Sequence, residues 1–226
     1  MADTTPVAKD ADPADSPAVT TTTPDDLPSA ETQAKVAGFQ VLDRDSHEHP
    51  FQDIYTHTNT QRTLVIFIRH FFCGSCQEYL RSLSQTITPD FLAGLATPTA
   101  VVIVGCGDPG LIATYATETG CPFPIYADPS RKLYDELGMV TSLALGAKPE
   151  YIRKGMARIV AESVWQTLKQ FPSGLALKGG DSRQNGGEFL FEAEEDGEGK
   201  GLVWCHRMKA TRDHAEVAEL VQILQQ

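Results

Sequence analysis

Two cysteines three residues apart, Cys73 and Cys76, follow Arg69-His70-Phe71-Phe72 and enclose Gly74-Ser75. A thiol attacks only as its thiolate. A Cys-x-x-Cys pair at a helix start favours that form, taking the pKa from about 8.5 to roughly 3.5–7.5. Unpaired N–H groups and the positive end of the helix dipole face the sulfur there. At this spacing two Cβ atoms on a helix lie roughly 5–6 Å apart, and a disulfide needs about 3.8 Å. Closure therefore asks for a small adjustment of the first turn, which Gly74 eases. The reading assigns an exposed Cys73 as the sulfur that attacks a peroxide or disulfide. A more buried Cys76 resolves the sulfenic acid or mixed disulfide. The same pair also reads as two small apolar core residues. Zinc would need two further ligands, and there is no second Cys-x-x-Cys and no His-x-x-x-His; neither a metal nor a cofactor is expected.

Arg69 and His70 precede the motif, and either would add positive charge beside a thiolate. Only one of two neighbours on a strand faces the site, and Arg69 is the better candidate because its charge does not depend on pH. Arg207 follows a later strand and reads either as converging on the same end of the sheet or as a solvated charge. Asp213 reads as a helix cap. Cys106, Cys121 and Cys205 read as structural, and His47, His49 and His57 as solvated loop residues.

The elements that must position these residues follow from hydrophobic pattern. Residues 63–68 (Thr-Leu-Val-Ile-Phe-Ile) are β-branched and aromatic without alternation, the mark of a strand buried on both faces. A tight turn leads to a helix over 73–87, with Tyr79, Leu80, Leu83 and Ile87 on one side and Pro89 as its stop. In an open α/β sheet, sites form at the carboxyl ends of such strands. Ahead of this unit, 39–43 reads as a strand, 46–50 as a turn and 51–55 as a weaker strand. Behind it come a buried strand at 99–104, a helix at 111–119 stopped by Gly120, a short strand at 123–128 and a helix at 129–137. The order implies a mixed sheet covered by crossover helices. Residues 149–170 form an inserted helical pattern, open between a cover over the site and a homodimer contact. Strands at 187–191 and 202–205 form a hairpin around an acidic loop, and an amphipathic helix at 213–224 ends the chain.

At 226 residues and 41% apolar composition, one core plus a tail is expected. Residues 1–34, rich in Pro, Thr, Ala and Asp, read as a disordered tail, and 35–226 as the folded domain. A net charge of -11 argues against a nucleic-acid partner. The roughly 20 consecutive apolar residues of a membrane-spanning helix are absent, and the acidic start lacks a signal core. Five cysteines cannot all pair within the chain. A reducing, cytoplasmic location is therefore expected, where a close cysteine pair serves chemistry more often than stapling.

The run from Arg69 through Cys73 and Cys76 to Gln77-Glu78-Tyr79 resembles the AhpC/TSA antioxidant-enzyme family, in its peroxiredoxin-like subgroup. Three segments extend the likeness: Tyr126-Ala127-Asp128-Pro129 with Lys132-Leu133-Tyr134, then 184–189, then Cys205-His206-Arg207 with Arg212-Asp213-His214. The resemblance implies a thioredoxin-like α/β fold and thiol-dependent antioxidant chemistry on Cys73 and Cys76. It also implies thioredoxin or glutathione as reductant, and a peroxide or protein disulfide as oxidant. The chain departs from the pattern where true peroxiredoxins carry Thr and Pro, three and seven residues before the reactive cysteine, and has His70 and Ile66 instead. In place of the thioredoxin cis-proline loop stands Asn185-Gly186-Gly187. Two functions stay open on these grounds: a thiol oxidoreductase, or a non-catalytic redox-sensing scaffold whose disulfide alters a partner-binding surface.

Overall fold

The computed structural model describes residues 25–56, 60–194 and 199–226. Most of the expected tail, His57 and the centre of the acidic hairpin loop lie outside these residues. Helix α1 (Ala30–Ala37) begins ahead of the expected boundary near residue 35. Ser29 Oγ accepts the Thr32 N–H at 3.1 Å, and Val36 is buried, so a capped start and one apolar anchor hold the segment.

Strands β1 (Gln40–Leu42) and β2 (Glu48–Pro50) form an antiparallel hairpin. This corrects the expectation of a turn followed by a strand, because Phe51–Thr56 is helix α2. Phe51, Ile54 and Tyr55 are its buried residues, an i, i+3, i+4 set that belongs to a helix and was too short to separate from a strand. Strand β3 (Arg62–Phe67) follows, then α3 (Gly74–Thr86) and a short α4 (Pro89–Ala93) capped by Thr88. Strand β4 (Thr99–Gly105), helix α5 (Ile112–Thr119), strand β5 (Ile125–Ala127) and helix α6 (Lys132–Glu136) continue the alternation. Gly120 ends α5 at φ 65°, the left-handed cap that glycine adopts at least cost. Helix α7 (Met156–Lys169), strands β6 (Gly187–Ala193) and β7 (Lys200–Arg207) and helix α8 (Val217–Leu224) complete the chain. The last helix starts four residues later than expected. Asp213 accepts the Lys209 N–H at 2.7 Å instead of capping it.

The seven strands form one mixed sheet in the order β2-β1-β5-β4-β3-β6-β7, with β3, β4 and β5 parallel and the other pairings antiparallel. Leu64 to Ile68 are fully buried, as an unalternated strand inside a two-faced sheet requires. Leu64, Ile66 and Ile68 pack toward α3, α5, α7 and α8, while Val65 and Phe67 pack toward α1, α2 and α6. Among the described residues, no helix is long and apolar enough to cross a membrane.

Candidate functional site

Strand β3 delivers the chain to the sheet's carboxyl edge, and α3 starts there with Cys73 as its N-cap residue. Cys73 Sγ accepts the Cys76 N–H at 3.4 Å, the Cys76 thiol lies 2.9 Å from it, and Arg69 Nη1 lies 3.4 Å away. Both cysteines are free thiols. The hydrogen bond from Cys76 lowers the Cys73 pKa well below its ordinary value, assisted by the charges of His70 and Arg69 against the opposing effect of burial. Cys76 moves well above its ordinary value, through burial first and then through its bond to Cys73. One sulfur is thus set up as a thiolate and the other as a thiol, a chemically ordered pair.

Arg69 is buried, with Nε donating to the Gln184 carbonyl at 3.0 Å and Nη2 to the Ser182 carbonyl. Backbone carbonyls from the loop before β6 therefore fix the guanidinium on the sulfur. His70 is half-buried, its pKa is lowered by burial, and it lines the same opening as Cys73. Arg207 is not brought to this site. It reaches the same end of the sheet, opposite Gly187, but its side chain lies with Cys205 and over the Phe189 ring. That places it on the other face, where the Leu137 and Asp26 carbonyls accept from it. Side-chain alternation along β7 decides this.

Cys73 itself is only 4% exposed, which corrects the expectation of an open sulfur. The cover is α7. A Cβ at Gly74 would overlap Ile159 Cγ2 and Ser163 Oγ, so a side chain there would displace these α7 residues where the helix crosses the motif. Gln77 Nε2 donates to Gln166 Oε1 at 2.6 Å, and Lys154 joins Glu78 at 3.0 Å to Glu162 at 2.7 Å. Access to Cys73 runs through a pocket of about 320 Å³ bounded by His70, Leu143, Leu145, Val160 and Val164. Its lining joins these apolar side chains to Arg69, Ser75, Ser163, Ser182 and Thr211 around Cys73.

Burial favours the protonated thiol at the remaining cysteines. Cys106 donates to the Arg69 carbonyl at 2.9 Å and is pushed up to about 12 by burial. Cys121 and Cys205 are also raised by burial. Among the described residues, Asp43, Asp45 and His47 form the one group close enough to hold a cation. They sit on the β1–β2 turn, where hydrogen bonds from His49 first, and then His47, hold the Asp43 carboxyl well below the usual range.

A second polar cluster lies on the same face of the sheet as the pair, and sequence reasoning missed it. Glu188 on β6 and His214 before α8 are both fully buried, with Nδ1 2.6 Å from Oε1. The His214 ring stacks on Tyr79, 4.2 Å between centroids and 2° from parallel, and Tyr151 meets Tyr79 edge-on at 5.0 Å. The available signal was one acid inside an otherwise apolar strand, Gly187-Glu188-Phe189-Leu190-Phe191.

A family model described as AhpC/TSA antioxidant enzyme matches residues 82–210, a segment that begins just beyond the cysteine pair. Peroxiredoxin-like 2C of Takifugu rubripes is 29% identical over 186 residues, covering 81% of this chain and 77% of that protein. The Homo sapiens protein of the same name is 27% identical over 193 residues, covering 84% and 79%. Among solved structures, Peroxiredoxin Q of Xanthomonas campestris superposes with a TM-score of 0.50 at 11% identity, covering 88% of this chain and 94% of that one. Peroxiredoxin 6 of Arenicola marina gives 0.51 at 13% identity, covering 83% and 68%. The structural likeness carries the thioredoxin-like fold, and the sequence match spans more than half the chain. This protein belongs to the AhpC/TSA antioxidant-enzyme family.

Proposed function

We propose that the chain is a thiol-dependent oxidoreductase that reduces a peroxide or a protein disulfide with the Cys73–Cys76 pair. Family and fold support a thiol redox role in general, and one observation carries the finer reading. The two sulfurs lie 2.9 Å apart with pKa values moved in opposite directions, and a buried guanidinium stands 3.4 Å from the acidic one. The Cys73 thiolate attacks the oxidant. A peroxide oxygen leaves Cys73 as a sulfenic acid and one alcohol or water as product, whereas a disulfide leaves a mixed disulfide and one free thiolate. Cys76 then forms the sulfur–sulfur bond and expels water or the second thiolate. Thioredoxin or glutathione returns the disulfide to two thiols in a reducing cytoplasm. Arg69 acts as a supporting charge, His70 lines the opening beside it, and Arg207 lies on the other face of the sheet.

A second reading, a redox-sensing scaffold, is favoured by the burial of Cys73 and the exposed apolar side chains of α7 around its pocket. Peroxide consumption coupled to NADPH through thioredoxin and its reductase separates the two. Turnover by wild type that disappears in Cys73→Ser supports the enzyme. No turnover with thioredoxin or glutathione, on peroxide or on a protein disulfide, overturns it and leaves the sensor.

A further inference from the structure

The thiol chemistry uses two sulfurs, and by itself gives no part to a costly buried feature beside them. Removing a carboxylate and an imidazole from water is unfavourable even when they pair, yet Glu188 and His214 are both completely buried. Their position relative to the resolving thiol is set by two elements. On α3, Tyr79 follows Cys76 by three residues and so shares its face, and its ring lies flat on the His214 imidazole. On the sheet, Glu188 pairs with Ile66 of β3 and projects to the α3 side, as Ile66 does. Tyr79, Tyr151 and the cysteine pair all belong to this one buried cluster. His214 Nε2 has no hydrogen-bond partner among the described residues, while the Tyr79 hydroxyl interacts with the Glu188 side chain and the Tyr151 hydroxyl with the His214 backbone. The other titratable groups around the carboxylate are Tyr79 from α3, Tyr151 from the segment before α7, and His206 from the β7 position opposite Glu188. Electrostatic coupling is strong in such a dry region. Tyr79 is raised by burial and then by Glu188, with Cys76 among the contributors, and Tyr151 is raised by burial and then by Cys76.

We infer that the buried Glu188–His214 pair is the internal acid–base group that takes up the Cys76 proton when Cys76 closes the disulfide. Both are positioning residues, since they act through the thiol and touch no substrate. The inference rests on the proposed roles of Cys73 and Cys76. In the step concerned, Cys76 Sγ bonds to Cys73 Sγ and the bond from Cys73 to the outgoing sulfur breaks. The electron pair leaves on that sulfur as a thiolate, and the Cys76 proton passes to the Glu188–His214 pair. Without the pair, Cys76 must lose its proton to solvent from a site where burial holds the thiol strongly protonated.

The test uses the reduced full-length chain and an aromatic disulfide, dithiobis-nitrobenzoate, whose released thiolate is coloured. The first release reports attack by Cys73 and the second reports closure by Cys76, with intact mass following the mixed disulfide between them. In Glu188→Gln the first phase should stay within about twofold of wild type, and the second should slow by roughly tenfold or more. Its rate should also keep climbing into alkali where wild type levels off. That change of pH profile would not follow from a purely structural role. Tyr79→Phe, which removes only a hydroxyl, carries the same comparison should Glu188→Gln not fold, and is expected to slow closure in the same direction. A second phase with unchanged rate and pH profile in the folded variants overturns the inference and leaves the redox pair intact. A wild-type trace without a second phase removes the proposed function and this inference together.

Discussion

Toward α1, α2 and α6 the sheet buries an aromatic core, in which Phe67 meets Tyr134, Phe189 and Phe51 at centroid distances of 5.1, 5.4 and 5.9 Å, and Tyr55 stacks on Phe191 at 4.1 Å. The Tyr134 hydroxyl there donates to the Ile68 carbonyl at 2.8 Å. Toward α3, α5, α7 and α8 the same sheet buries two thiols of opposed acidity, a Glu–His pair, and the Tyr115 hydroxyl, which has no hydrogen-bond partner among the described residues. Buried polar groups are ordinarily satisfied, and those left unsatisfied cost stability. One face is therefore packed with aromatic rings, and the other holds buried polar groups at a cost in stability.

The largest effect that could break this contrast belongs to the aromatic face. Phe67→Ala should cost about 3–5 kcal/mol in urea unfolding, while the folded fraction keeps its Cys73 alkylation rate. A fall in alkylation alongside stability would mean that the faces are not separable. Next comes Gly74→Ala, where the added methyl meets Ile159 and Ser163 and should cost about 1–3 kcal/mol. Because the strain falls on the α3–α7 contact, iodoacetamide should reach Cys73 faster than in wild type. An unchanged rate would mean that α7 does not restrict access.

A third comparison concerns charge. Arg69 favours the Cys73 thiolate, so Arg69→Gln should raise the midpoint of alkylation against pH. The variant then reacts more slowly at neutral pH and recovers in alkali. Cys76→Ala should raise the midpoint further, since the bond from Cys76 is the larger influence. The smallest effect is a pair of tyrosine changes. Tyr134→Phe removes a satisfied hydroxyl and should cost about 1 kcal/mol, whereas Tyr115→Phe, on the other face, should be close to neutral in the same melts. Equal costs would erase the distinction between the faces.

Much of this molecule could be read from one dimension because the relevant physics is local. A continuous β-branched run can rest only in a strand covered on both sides, and residues 63–68 do so. The helical face of Tyr79, Leu80 and Leu83 placed α3, and Cys73 at its start followed from the strand that precedes it. Strand alternation predicted only one of Arg69 and His70 beside the sulfur, yet both act on it, because β3 ends at Phe67 before either residue. Readings failed where the signal was short or depended on a neighbour far along the chain. Five residues could not tell α2 from a strand, and the start of α8 was set by contacts of residues 213–215 with Lys209, His206 and Glu188.

Tertiary structure alone decided three matters. The crossing of α7 over Gly74 buried Cys73, because the weight of the 149–170 pattern depends on what it lands on. The facing of β7 sent Arg207 to the opposite side of the sheet from the thiols. The meeting of Glu188 with His214, 26 residues apart in sequence, built a buried pair that neither local segment announces. Residue type and spacing determine which chemistry a chain can hold. Burial, and the partner found within it, determines which thiol ionises and where its proton goes, since both depend on a local dielectric that exists only after folding.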